Sequence, residues 1–267
     1  MVGIHFYNNP SYKALKVLPL VHLAKKDRHT GLNNGELILR DGFIKTKRDD
    51  EFSQLTSDEE DLCYFFYGKP AYKEPKGYDP SDPPIVFILN SPDNPKRVFP
   101  FDTGAFLGGR YSRILGDDYL NNHHLMEWQL LPDINIIGKY LYAFWKTNKS
   151  YYKNKPNIHK NISSINNNFI KLLVKLIKAK DTPECDERKH SVEIQFDKNI
   201  ELNKNLKLIL VSNRTIRKNP SILEIFAKNN IKIIFYHDNN EFRKVNTPLF
   251  VYNEIFKYYK KNGYFRS

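Results

Sequence analysis

The stretch "ERKHSVEIQFDKNIEL", residues 187–202, decides how the chain is read, because its centre alternates like a strand with two unequal faces. In an extended backbone Val192, Ile194 and Phe196 point one way while Ser191, Glu193 and Gln195 point the other. A half-covered antiparallel sheet is apolar inside and polar outside, so the default leaves Glu193 in solvent. The alternative turns the same face into a cleft wall and gives the carboxylate a ligand to act on. Alternation by itself does not choose between them.

Working outward, "NLKLILV", "SILEIFAKNN" and "IKIIFY" follow as strand, short helix and strand, which reads as a β-α-β unit. Upstream, the apolar signal "KVLPLVHLA" (16–24) predicts a strand interrupted by Pro19, with His22 at its end. Leu32, Leu37, Ile38 and Leu39 predict a short helix stopped near Gly42, a residue suited to a left-handed cap. After an acidic loop, residues 62–67 form an apolar strand that Gly68 and Pro70 break. Residues 74–84 are loop, 85–89 a buried strand, and "RVFPFDTGAFLGGRY" (97–111) an ordered, aromatic, glycine-bearing loop.

Two helices are expected next. Asp133 caps one through Ile134, Ile137, Leu141 and Phe144. The other carries Phe169, Leu172, Leu173, Leu176 and Ile177, with Lys171, Lys175 and Lys178 opposite. Residues 147–168 between them read as loop or helix start. There are no internal repeats. Strand, helix, strands, helices and strands in that order predict an α+β class, as one domain over 1–267 with a helical and loop insertion at about 74–184.

Composition narrows the field. With 267 residues, 40% hydrophobic and 27% charged, the chain is globular rather than disordered. A net charge of +12 attracts polyanions, and nucleic acid is the first partner to consider. Two cysteines, Cys63 and Cys185, are too few for a disulfide framework. The N-terminus lacks an apolar signal region, and no apolar run nears the roughly 18 residues that span a bilayer. A cytoplasmic protein without a membrane partner is expected.

Familiar chemical motifs are weak. "HHLME" offers His123, His124 and Glu127 but no clear third ligand, and Cys185 with His190 is looser, so no metal is needed. "GAFLGGRY" lacks the spacing of a dinucleotide loop, and neither GxxxxGK[ST] nor GxSxG occurs. Cys63 lies in an apolar strand where burial raises its pKa. What remains is dispersed: His22, then Tyr64 and Tyr67 before Gly68-Lys69-Pro70, then Glu193.

That order carries a resemblance. "VHLAKKDRHTGLNNGELILRDGF" is similar to the opening of DarT-type ADP-ribosyltransferases, through His22, Ile38, Leu39, Gly42 and Phe43. "YFFYGKPAY" resembles the family's second element, and "RKHSVEIQFDKNIEL" the strand of its catalytic glutamate. The similarity covers about the first 75 residues and 185–235, leaving 97–111 unaligned. One departure is Lys69, where the family uses Arg, which loses the planar fork that grips phosphate.

The resemblance implies mixed or antiparallel sheets around an NAD cleft with flanking helices. It also implies NAD as substrate, no metal, and a macromolecular acceptor, with nucleic acid favoured by the charge. A toxin or phage-defence role, with a neutralising antitoxin or immunity partner, comes with it. Glu193 is then the catalytic carboxylate, holding a ribose hydroxyl as cation character develops. Lys69 meets the pyrophosphate or acceptor, and His22, Tyr64, Tyr67 and Tyr72 bind NAD. Gln195, Asp102 and Arg110 are acceptor contacts, and Thr103 is a further cleft candidate. The alternatives are a non-catalytic basic nucleic-acid-binding protein and a metal-independent ribonuclease using His22 and Glu193 as acid and base.

Overall fold

The computed structural model describes residues 13, 15–24, 34–47, 61–71, 83–116, 122–163, 167–182, 185–228, 230–236 and 246–265, without the side chains of 122–124, 163 and 246–248. Its strands are β1 (Leu20–Ala24), β2 (Phe43–Ile44), β3 (Cys63–Tyr67), β4 (Ile85–Leu89), β5 (Arg97–Phe99), β6 (Glu193–Phe196), β7 (Ile200–Glu201), β8 (Leu206–Ser212) and β9 (Ile233–Tyr236). Seven of them form one sheet in the order β5-β6-β3-β1-β4-β8-β9, while β2 pairs with β7 alone. All neighbours are antiparallel except β8 and β9, which run parallel as a β-α-β unit requires. The architecture is α+β, with a mixed, mostly antiparallel sheet and flanking helices.

Sequence explains the centre of this sheet. β4 reads IVFIL, is buried along its whole length, and lies between β1 and β8. An unbroken apolar run suits a strand covered on both faces. Pro19 has no N–H to give a ladder, so β1 starts after it at Leu20, later than the expected 16. Helix α1 (Asn34–Asp41) ends at Gly42, whose φ of +74° is the left-handed conformation that a side chain would disfavour.

The 97–111 stretch is not loop. It supplies β5, the sheet's edge beyond β6, and the short helix α2 (Thr103–Leu107), capped by Asp102. Three residues of strand and five of helix are too short to show a period in sequence. The 74–184 segment supplies β4 and β5 to the sheet as well as helices. Helix α3 (Ile134–Trp145) starts at the expected Asp133 cap. Thr147 caps α4 (Asn148–Tyr152), and α5 (Asn168–Lys178) buries Ile170, Leu173, Leu176 and Ile177. Helix α6 (Ser221–Lys228) lies between β8 and β9 in sequence.

One long helix escaped the sequence reading. Helix α7 (Asn246–Lys261) buries Val251, Ile255 and Tyr259 at four-residue spacing, a period masked by the β-favouring aromatics around it. A single apolar core runs from Leu18 to Tyr264 through every part of the chain described. Among the described residues no helix is long and apolar enough to cross a membrane.

Candidate functional site

The three strands that carry the family resemblance lie side by side, as β1, β3 and β6. Their side chains do not converge. Glu193 stands opposite Phe66 on β3 and Phe99 on β5, and Gln195 opposite Tyr64 and Arg97. Phe66 in turn faces Val21 on β1. His22 is one residue further along β1 and therefore projects from the other face, where its ring lies 5.3 Å from Phe65 and 6.3 Å from Phe87. Tyr67, one residue beyond Phe66, also takes that second face. The expected grouping of His22, Tyr67 and Glu193 is thus split by the sheet, and His22 and Glu193 cannot work as an acid–base pair on one bond. Tyr64, half-buried, does share the Glu193 face.

That face is covered, not solvated. β6 is buried throughout, with Glu193 3% and Gln195 0% exposed, because the corner at the start of α2 packs over it. Thr103 supplies two donors from one residue: its Oγ1 donates to Glu193 Oε1 at 2.7 Å, and its backbone N–H donates to Oε2 at 3.0 Å. Gln195 Nε2 donates to Oε1 as well, at 2.7 Å. Asp102 accepts from the Ala105 N–H at 2.7 Å and sets this corner in place.

Electrostatics oppose those donors. Burial, and after it the neighbouring Asp102 carboxylate, push the Glu193 carboxyl up to about 7, against the pull of Thr103 and Gln195. Arg188 grips Asp186 with Nε at 2.9 Å and Nη2 at 2.8 Å, and Arg110 Nη1 lies 3.9 Å from the same carboxylate. Burial raises Asp186, but the Arg188 guanidinium outweighs it and holds the group below the usual carboxylate range. Burial and Asp102 drive the Tyr111 hydroxyl well above its ordinary value. The Asp186–Arg188 ion pair is tied to the α2 corner through the Asp102 N–H, which donates to Arg188 O at 3.2 Å.

The remaining expected residues fall into place as follows. Asp102 belongs to the Glu193 site, and Arg110 lies at its margin through Asp186. Gln195, expected to touch an acceptor, is enclosed and its amide instead donates to Glu193. Lys69 is 1% exposed, donates to Tyr151 O at 3.1 Å and to Asn154 Oδ1, and lies 4.3 Å from the centre of the Tyr151 ring. It is a buried structural cation, not a cleft wall. His22 Nδ1 contacts Tyr64 O at 2.9 Å, and burial lowers its pKa against that bond. Tyr67 OH accepts from the Leu18 N–H at 3.0 Å. Tyr72 lies outside the described residues.

Sequence reading missed Asp186, Arg188, Tyr111 and Tyr151. Tyr151 OH donates to Tyr67 O at 3.0 Å and accepts from the Val192 N–H at 3.1 Å, which ties the end of β3 to the start of β6. The one available signal was density: 99–111 is rich in aromatic residues and 186–195 in charged and polar ones, and the structure packs the two together. Among the described residues no group of three or more His, Cys, Asp or Glu side chains is placed to hold a metal. No family model, curated protein or solved structure matches the chain.

Proposed function

We propose that the chain is an NAD-dependent ADP-ribosyltransferase with Glu193 as its catalytic carboxylate. The observation that carries this reading is the Glu193 carboxyl itself: buried, oriented by three donors, and poised near neutrality on the strand that the resemblance singles out. The adjacency of β1, β3 and β6 supports it. A carboxylate has about four lone-pair sites, so three donors leave one, which a ribose hydroxyl can take once the α2 corner that covers Glu193 is displaced. As the nicotinamide–ribose bond breaks, positive charge grows on the sugar and a fixed carboxylate stabilises it. A group titrating near 7 also suits removal of the acceptor's proton.

In this reading Tyr64 stacks on the nicotinamide ring, and His22, Tyr67 and Lys69 serve the fold. The net charge of +12 makes nucleic acid the proposed acceptor. A toxin or antiviral role with a neutralising partner follows from the resemblance. The test incubates the full chain with labelled NAD, alone and with RNA or single-stranded DNA. Nicotinamide release and label transfer are expected, falling by on the order of 100-fold or more in Glu193→Gln. Absence of NAD turnover with every acceptor overturns the reading, and salt-sensitive RNA binding without turnover replaces it with a binding module.

A further inference from the structure

We propose that Thr103 is the positioning residue of Glu193, so that the orientation of this carboxyl is set by the 99–111 stretch acting with Gln195, its neighbour on the strand that bears it. The inference deepens the reading of Glu193 as catalytic, but it stands on geometry that does not involve NAD. A carboxyl on a strand has several rotamers, and nothing in β6 selects among them except Gln195, two residues along the same face. Thr103 holds both oxygens at once, the hydroxyl on Oε1 and the backbone N–H on Oε2. A two-point grip fixes the carboxyl plane, which a single donor cannot do.

The grip also biases the proton. A donor to the ionised form stabilises it, so Thr103 and Gln195 work against burial and the Asp102 charge. The other groups packed around this region are Arg97 on β5, Tyr64 on β3, Tyr111, and the Asp186–Arg188 pair, which holds its own charges in a bidentate bond. Of all these, Thr103 alone contributes two donors to the Glu193 carboxyl. Asp102, next in the chain, supplies the opposing charge, and its bond to the Ala105 N–H fixes the corner that delivers both.

The test is a carbon-13 titration of the Glu193 carboxyl in selectively labelled full-length protein, with the Thr103 amide followed in the same samples. In the wild type the Thr103 amide resonance should move with the same midpoint as the carboxyl, because protonation weakens the acceptor it donates to. Thr103→Val removes only the hydroxyl and should raise the midpoint by about one pH unit, whereas Thr103→Ser should restore it. A Thr103 amide that does not follow the Glu193 midpoint overturns the proposal. So does a folded Thr103→Val variant whose midpoint stays put. The amide measurement needs no variant and decides the matter even if Thr103→Val does not fold. Failure of NAD turnover leaves this result unaffected, so the two ideas fail separately.

Discussion

Glu193 and His22 are both polar side chains within the same sheet, two strands apart, and the structure treats them in opposite ways. On one face Glu193 is met by Gln195 of its own strand and by Thr103 and the Asp102 charge from the corner that closes over β6. On the other, His22 is packed against Phe65 and Phe87 with one backbone contact. The first arrangement controls a proton; the second suppresses a charge. Adjacent strands do not make a site, because each step along a strand reverses the face. One residue of parity separates a partner of the candidate catalytic carboxylate from a core histidine.

The comparison can be broken most directly by catalysis. If NAD turnover is found, Glu193→Gln should abolish it by on the order of 100-fold or more, while His22→Asn keeps activity close to wild type. Equal loss in both would return His22 to the site. The next effect is a pair of opposite pH dependences in stability. The folded protein keeps the Glu193 proton up to about 7, whereas the unfolded chain gives it up near the ordinary 4.5. That stabilisation is complete below about 4.5 and is lost as pH rises to 7, on the order of 3 kcal/mol in all. The His22 pKa is lowered from 6.5, so its contribution is present above that value and is lost as pH falls. Urea melts between pH 4.5 and 7.5 should show the Glu193→Gln curve gaining on wild type as pH rises, and His22→Asn gaining as pH falls. Parallel curves would sink the contrast.

Two smaller effects sharpen the structural side. Lys69→Arg installs the residue of the resembled family in a fully enclosed slot, and overpacking should cost about 2 kcal/mol without raising NAD turnover. A gain in turnover would bring the position back into the cleft. Tyr67→Phe removes the acceptor of the Leu18 N–H and should lower stability by about 1 kcal/mol in a thermal or urea melt, with activity unchanged.

How much of this was legible differs by region. The β-α-β unit, the Asp133 cap, the Gly42 stop and the α5 face were all readable, because each rests on spacing or on a residue with one conformational role. The 97–111 stretch was not, since β5 and α2 are stabilised by what they pack on and not by their own period. Helix α7 was hidden by aromatics whose strand preference competed with a clear four-residue repeat.

For Glu193 the division is sharper. The sequence by itself determined that β6 alternates, that Glu193 and Gln195 share a face, and that neither shares it with Ile194. Only the tertiary structure decided that this face is buried, because burial depends on the α2 corner, some 90 residues away in the chain, folding over it. Only the pairing register decided that His22 and Tyr67 look the other way. Local alternation fixes which residues stand together on one strand; register and covering elements, set by contacts distant in sequence, fix what they face.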